Sequence, residues 1–489
     1  MCLTWAQNGQ SFHYSPNKQP EGNTQPLDNP YNRCALKSAL ERNPFEVWYF
    51  KDKFKSFEDM SLTSEQYNNQ FVERRTMKGR LQNVMKKALL GQNIGVTVMG
   101  GSISAGGGLI NDYSDLKGIY YRVFIDWWQK AIQPFTGSNI ELHNLAVGGT
   151  GSNFFSFCYK TLMKPEDSID LIFLEFSIND YALYKNSSLP RAMSIEKLTR
   201  QLLSEESSPV VMFVNFICGD KNVALCDNLE NNGQTMLAWH YGITSFSMRD
   251  SLCPNTGNKK FPMMFSSDGN HASIIAHAQI AMMIINSVRD ALRGSIECSE
   301  QGFHLPSHDL PRSVYFMNDQ AVIPDPLCYT LITPDVTSKF FNPSLSVREI
   351  ENVGFKQIKD VSIGFHRISS GEFNPEPSRT DGYGGWEAEK ENSILKLQID
   401  LPFGGRLSDN VTRAVVIVFR TYGYGGKAEV WLEGYKPGIV ADAYSPFGLT
   451  LLTTVAHHVT SGSHVLSIKV TRAGKFTFCG VMAGAKYVT

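Results

Sequence analysis

Ile94-Gly95-Val96-Thr97-Val98-Met99-Gly100-Gly101-Ser102-Ile103-Ser104-Ala105-Gly106-Gly107-Gly108 is the stretch from which the fold of this chain can be read. Its first half is short, apolar and rich in β-branched residues, the pattern of a strand buried on both faces. The glycines that follow permit a sharp turn and a close approach by a ligand. A serine on such a turn projects from the carboxyl end of a sheet, where open α/β folds place their ligand crevice. Ser102 is therefore a candidate nucleophile, although a serine in a glycine-rich loop is by itself more often a turn residue. Ser104 competes with it but lies further from the strand end.

Outward from this strand the pattern is regular. Upstream, Asn69 to Leu90 carries Phe71, Met77, Leu81, Val84, Met85, Ala88 and Leu89 at helical spacing. Before it, residues 1–68 read as an irregular arm with an aromatic cluster from Phe45 to Phe57. Downstream, strands are expected at Ile140–Leu145, Ile169–Phe176, Pro209–Phe216 and Ile243–Phe246. Helices separate them, and a long helix over Ser273–Leu292 closes the region. Strands alternating with helices imply a parallel sheet covered on both faces, giving one α/β domain over 69–297. Residues 298–345, rich in proline and polar residues, read as a linker or wrapping segment. From 346 to 489 the texture is that of a β-sandwich, jelly-roll-like, with strands at Ser393–Leu401, Arg413–Tyr422, Lys427–Leu432, Val465–Val470 and Lys475–Met482.

Composition excludes some functions. With 46 basic against 47 acidic residues and a net charge of −1, no basic stripe supports a nucleic-acid partner. No apolar run reaches the roughly 18 residues of a membrane-spanning helix. The amino terminus lacks the basic start and apolar middle of a signal peptide. The chain is then cytoplasmic, or secreted or in the secretory lumen if a targeting segment precedes it. None of the nine cysteines forms a CxxC pair, which argues against a structural zinc site. Cys218 and Cys226 flank a short loop and can close a disulfide, or stay as free buried thiols. Asn186 and Asn410 begin glycosylation acceptor patterns. Oligomeric state is not legible.

Three later stretches supply what an acyl-transfer serine lacks. Asn144 to Gly151 runs from a strand end into glycines, where Gly149 can turn its N–H toward a developing oxyanion. In Glu175-Phe176-Ser177-Ile178-Asn179-Asp180, Asn179 can donate its side-chain amide into the same crevice, or else cap the next helix. In Asp268-Gly269-Asn270-His271, the carboxylate can fix the imidazole tautomer while the ring accepts a serine proton. His277, about one helical turn past His271, is expected to pack in or cap the helix region.

Together these blocks resemble those of the SGNH (GDSL-type) hydrolase family over residues 94–293. Gly100-Gly101-Ser102 corresponds to the first block, Gly149 and Asn179 to the second and third, and Asp268 with His271 to the last. The resemblance implies a three-layer α/β/α domain with a flavodoxin-like parallel sheet, and ester chemistry with neither cofactor nor metal. It implies Ser102, Asp268 and His271 as catalytic residues, and an oxyanion hole from the N–H groups of Ser102 and Gly149 and the Asn179 amide. Two positions depart from the pattern: Gly101 replaces the usual aspartate, and Ser177 stands where glycine is common.

In the sandwich, Tyr383, Trp386, Tyr422, Tyr424, Trp431 and Tyr435 read as core and turn residues, with a sugar-stacking platform as the alternative. The leading expectation is a serine esterase releasing acyl groups, acetyl among them, from a carbohydrate or other small ester. An O-acyltransferase with the same three residues stays open. So does a non-catalytic carbohydrate-binding or adhesion protein on a hydrolase scaffold.

Overall fold

The structure, a computed structural model, describes residues 30–41, 75–109, 117–164, 166–184, 192–217, 233–252, 264–297, 310–316, 322–334, 344–360, 382–403 and 411–485. The aromatic cluster at 45–57, Cys218, Cys226, Asn186 and Asn410 lie outside these residues. Among the described residues of the first domain the helices of seven residues or more are α1 (Pro30–Glu41), α2 (Arg75–Leu89), α3 (Tyr120–Ala131), α4 (Ser152–Cys158), α5 (Ser177–Tyr184), α6 (Met193–Leu203), α7 (Gln234–Tyr241) and α8 (Ile274–Glu297). Strands β1 (Ile94–Gly100), β2 (Ile140–Asn144), β3 (Leu171–Glu175), β4 (Val210–Asn215) and β5 (Thr244–Ser247) form one sheet. Its order is β2-β1-β3-β4-β5, and every pairing is parallel.

Side-chain alternation explains the layers, because successive residues of a strand point to opposite faces. Val96, Val98, Phe173, Met212 and Val214 pack with α2, α3 and α8 on one face. Met99, Ile172, Leu174, Val211 and Phe213 pack with α4, α6 and α7 on the other. Both faces are thus covered, which is why β1, β3 and β4 read as continuous apolar runs. No helix among the described residues is long and apolar enough to cross a membrane.

The second half is built of antiparallel strands. They are β6 (Leu327–Thr330), β7 (Ile332–Thr333), β8 (Ser346–Val353), β9 (Lys356–Asp360), β10 (Gly382–Ala388) and β11 (Ile394–Leu401). β12 (Arg413–Arg420), β13 (Lys427–Leu432), β14 (Tyr435–Asp442), β15 (Thr450–Val459), β16 (Gly462–Arg472) and β17 (Phe476–Ala485) complete them. One sheet runs β14-β13-β16-β11-β8. The other runs β15-β12-β17-β10-β7, with β6 on β17 and β9 on β10.

Alternation again decides what faces what. Val415, Ile417 and Phe419 of β12 enter the core between the two sheets with Leu395, Leu397 and Ile399. Val416 and Val418 point the other way and join Phe154, Phe155, Leu198 and Leu237 of the α/β domain. The seven-stranded sheet is therefore buried on both sides, and its outer face is the interface between domains. Cys158, at the end of α4, is joined to Cys328 of β6 by a disulfide across that interface. Closing a loop of 170 residues, the bond is expected to contribute about 2–5 kcal/mol. The double variant Cys158→Ala/Cys328→Ala should lose that much in denaturant unfolding. A midpoint equal to that of the parent would mean the bridge does not constrain the unfolded chain.

Two expectations need correcting. The arm is not irregular throughout: residues 30–41 form α1, whose Leu36 and Leu40 are fully buried in the first core. The segment 298–345 is not only a linker, since β6 and β7 within it pair with β17 and β10. Four longer strands of the sandwich also went unread. β8 is exposed along most of its length, β10 holds three glycines, and β14 contains Pro437. β15 pairs with β12 through register shifts, which break simple alternation.

Candidate active site

Each candidate residue stands just beyond the carboxyl end of a parallel strand, in the first turn of the helix that follows one, or just before a helix. β1 ends at Gly100, and the turn after it is closed by Ala105 N donating to Gly101 O and Gly107 N to Ser102 O, at 3.0 and 2.7 Å. Ser102 is partly exposed on this turn. Its Oγ lies 2.9 Å from His271 Nε2. His271 Nδ1 lies 2.6 Å from Asp268 Oδ2. With the ring neutral and its proton on Nδ1, the imidazole donates to the carboxylate and accepts the serine hydroxyl, a tautomer assigned from its partners.

The segment carrying His271 is held tightly. Phe265 and Ala272 form an antiparallel bridge, and Ser266 N donates to His271 O at 2.8 Å. Asp268 Oδ1 accepts from Ser266 Oγ, Asn270 N and His271 N at 2.6, 2.8 and 3.0 Å. Partial burial alone would raise the Asp268 pKa. The hydrogen bonds from Ser266, the two amides and the His271 ring outweigh it and hold the carboxyl well below its usual range. Asp268 therefore stays ionised opposite the imidazole, as a group stabilising an imidazolium must.

Asn179 is 6% exposed and lies against the turn that carries Ser102. A Cβ on Gly101 would fall 2.0 Å from Asn179 Oδ1 and 2.8 Å from Nδ2. Glycine at 101, where the resemblance led one to expect aspartate, is what lets the amide come this close. Because α5 begins at Ser177, Asn179 is its third residue and not its cap. Ser177, the second departure, donates from Oγ to Phe216 O at 3.1 Å and so ties the start of α5 to the end of β4. Gly149 follows β2 in the left-handed region at φ +67°. The turn around it hangs from β1, with Val147 N donating to Gly100 O at 2.9 Å.

Ser104 is fully buried, its Oγ within 3.1 Å of Glu175 Oε2 and 3.0 Å of Tyr120 Oη. It is a buried strut of the turn. His277 is buried and stacked on Tyr120, and burial, aided by His271, pushes it down to about 3. Among the sandwich aromatics, Trp386 belongs to the core and Tyr424 is 65% exposed. The side chain of Tyr383 lies outside the described residues.

Sequence reasoning missed two buried carboxylates beneath the site. Glu175 Oε2 accepts from Gly101 N, Ser104 N and Ser104 Oγ at 3.2, 3.2 and 3.1 Å. Asp180 accepts from Ser152 N and Oγ at 2.9 and 2.7 Å, fixing the residue that begins α4. A signal existed: Glu175 is an acid ending an otherwise apolar strand, and such a group is retained only when it has partners. Burial pushes Glu175 up to about 8, against the hydrogen bonds from Ser104 and Gly101 and with Asp180 adding to the rise. Burial likewise takes Asp180 up to about 7.

A pH dependence follows. Both carboxyl groups hold their protons more tightly in the fold than in the unfolded chain. The stability they lend is fully present below their unfolded pKa values, about 4. It is lost as pH rises through about 7 for Asp180 and about 8 for Glu175. His277 works oppositely, but only below its unfolded value of about 6.5. Between about pH 6.5 and 8, unfolding free energy should therefore fall by up to about 1.4 kcal/mol per pH unit for each carboxyl still protonated. Glu175→Gln should flatten the upper part of that fall in urea titrations at several pH values. An unchanged slope would show that Glu175 is not protonated in the fold.

The sequence matches no family model, and no curated protein matches it. Among solved structures, it is similar to a two-domain esterase (CEX) described as active on acetylated mannans. The TM-score is 0.61 at 18% identity, over 86% of this chain and 99% of that one. A second structure of that esterase, co-crystallised with mannopentaose, aligns over the same shares with a TM-score of 0.59. At this identity the likeness shows the fold: an α/β domain joined to a β domain.

Proposed function

We propose that the chain is a serine esterase of SGNH type that removes acyl groups, acetyl foremost, from carbohydrate. The observation that carries this reading is the unbroken relay from Asp268 through His271 to Ser102, at 2.6 and 2.9 Å, with Asn179 beside it. In this reading Ser102 Oγ attacks the ester carbonyl carbon while its proton passes to His271 Nε2. Ionised Asp268 stabilises the imidazolium. The carbonyl oxygen, now negative, takes hydrogen bonds from the N–H groups of Ser102 and Gly149 and from Asn179. Collapse breaks the bond to the sugar oxygen, which leaves with the proton from His271. Water, deprotonated by the same ring, then hydrolyses the acyl-serine.

The fold-level likeness to an esterase described as active on acetylated mannans supports the carbohydrate part. So do Tyr444 and Phe447, both exposed on the loop whose Gly448 carbonyl approaches Gly149, since sugar rings pack on aromatic faces. The Cys158–Cys328 bond fits an oxidising compartment. Acetate release from acetylated mannan, acetylated xylan and an aryl acetate, compared between the parent and Ser102→Ala, tests the reading. Release by the parent alone is expected. Acyl transfer to an added sugar with little free acid would favour the O-acyltransferase. Glycan binding without any turnover by folded protein would favour the binding protein.

A further inference from the structure

The turn bearing Gly149 is not held by its own domain alone. From the sandwich, Arg420 Nη1 donates to Gly148 O at 3.2 Å and to Thr450 Oγ1 at 3.1 Å. Thr450 N donates to Gly149 O at 2.8 Å, and Thr450 Oγ1 is 3.0 Å from Thr150 Oγ1. The backbones nearly touch: a Cβ on Gly149 would fall 2.2 Å from Gly448 O and 3.0 Å from Arg420 Nη1. Arg420 is 5% exposed, so its charge is spent inside the interface.

The placement follows from strand parity. Residues 416, 418 and 420 share the face of β12 that meets the α/β domain, and Val416 and Val418 make the apolar part of that contact. Arg420 ends the row where the apolar contact gives way to the Gly148 carbonyl and the Thr450 hydroxyl. A guanidinium with five donors in a fixed fork suits such a place better than an ammonium would. A left-handed glycine that follows another glycine has several ways to orient its N–H. Pinning the carbonyls of Gly148 and Gly149 fixes the two peptide planes on either side of the Gly149 α-carbon. The first of those planes carries the Gly149 N–H.

We propose that Arg420 and Thr450 are positioning residues for the oxyanion turn, so that the esterase site is assembled from both domains. The inference rests on the serine-esterase reading. A preorganised donor is effective because it needs no reorientation as charge develops. Loosening the turn therefore lowers kcat and leaves KM for a small substrate nearly unchanged. A role in stability alone would instead lower the fraction of competent molecules and leave each of those at full speed.

The test uses the full chain with Arg420→Ala, Arg420→Lys and Thr450→Val, an aryl acetate as substrate, and a fluorophosphonate to count reactive serines. For Arg420→Ala, kcat per titrated site should fall by roughly tenfold or more. This stays below the hundred- to thousandfold loss that follows outright removal of an oxyanion donor. KM should stay within about twofold. Arg420→Lys, keeping a cation and a donor, should lie between, and Thr450→Val should lose a few-fold. Full kcat per titrated site in Arg420→Ala, or a loss explained wholly by fewer titrated sites, would overturn the proposal. Should Arg420→Ala fail to fold, unchanged kcat in both other variants would do the same. A parent chain that neither turns over ester nor takes the label would overturn the esterase reading along with it. An active parent with unaffected variants overturns this inference alone.

Discussion

Replacing Ser102 by alanine is expected to lower ester turnover by about 10⁶-fold, and His271→Ala to do the same. The reason lies in the relay. Without the hydroxyl there is no atom to form the acyl bond, and without the ring the serine proton loses the acceptor that lies 2.9 Å away. Because the two act as one unit, the double variant should be hardly worse than either single one. Asp268→Asn should cost less, on the order of 10⁴-fold. There the amide can no longer accept the Nδ1 proton as a carboxylate does, and the ring is free to take the wrong tautomer. Asp268 also accepts from Ser266, Asn270 and the His271 amide, so a thermal midpoint must accompany each rate. If Ser102→Ala keeps more than a hundredth of the parent rate, the nucleophile lies elsewhere.

Asn179→Ala is expected to lower kcat by about a hundred- to a thousandfold, roughly 3–4 kcal/mol, with KM nearly unchanged. The amide is proposed to bind charge that exists only in the transition state, so the ground state should not feel its loss. Covalent labelling of Ser102 should persist in this variant but slow down. A helix-capping role predicts something different: about 1 kcal/mol less stability and normal turnover per folded molecule. The position of Asn179 as the third residue of α5 already weakens that alternative. The packing of its amide on Gly101 adds a second check: Gly101→Ala should resemble Asn179→Ala in rate, because the new methyl group displaces the amide. A destabilised but fully active Asn179→Ala would remove the residue from the site.

The parallel sheet could be read from sequence because its central strands are buried on both faces, and burial of that kind writes continuous apolar runs such as residues 171–174 and 210–214. The same physics made the candidate site readable. Strand ends in an open α/β sheet converge on one crevice, so Ser102, Gly149 and Asn179 could be grouped without knowing any distance. What stayed hidden depends on partners far away in the chain. Arg420 meets Gly148 across 272 residues, and Cys158 meets Cys328 across 170. No local pattern encodes either meeting. One clue was available: β12 reads Arg-Ala-Val-Val-Ile-Val-Phe-Arg and is buried throughout. An antiparallel strand with no polar face must be covered on its outer side too, which here means by the α/β domain. The exposed β8 left the opposite difficulty, since polar or charged residues at five of its eight positions hide the strand from any hydrophobic pattern.

Mapping a fluorophosphonate adduct decides whether Ser102 is a nucleophile activated by His271. Intact protein is labelled and digested, and the modified peptide is located by mass spectrometry in the parent and in His271→Ala. One adduct per chain is expected, on Ser102, formed rapidly in the parent, suppressed in the variant and slowed by an acetylated glycan. An adduct on another residue, or Ser102 reacting equally fast without His271, would contradict it.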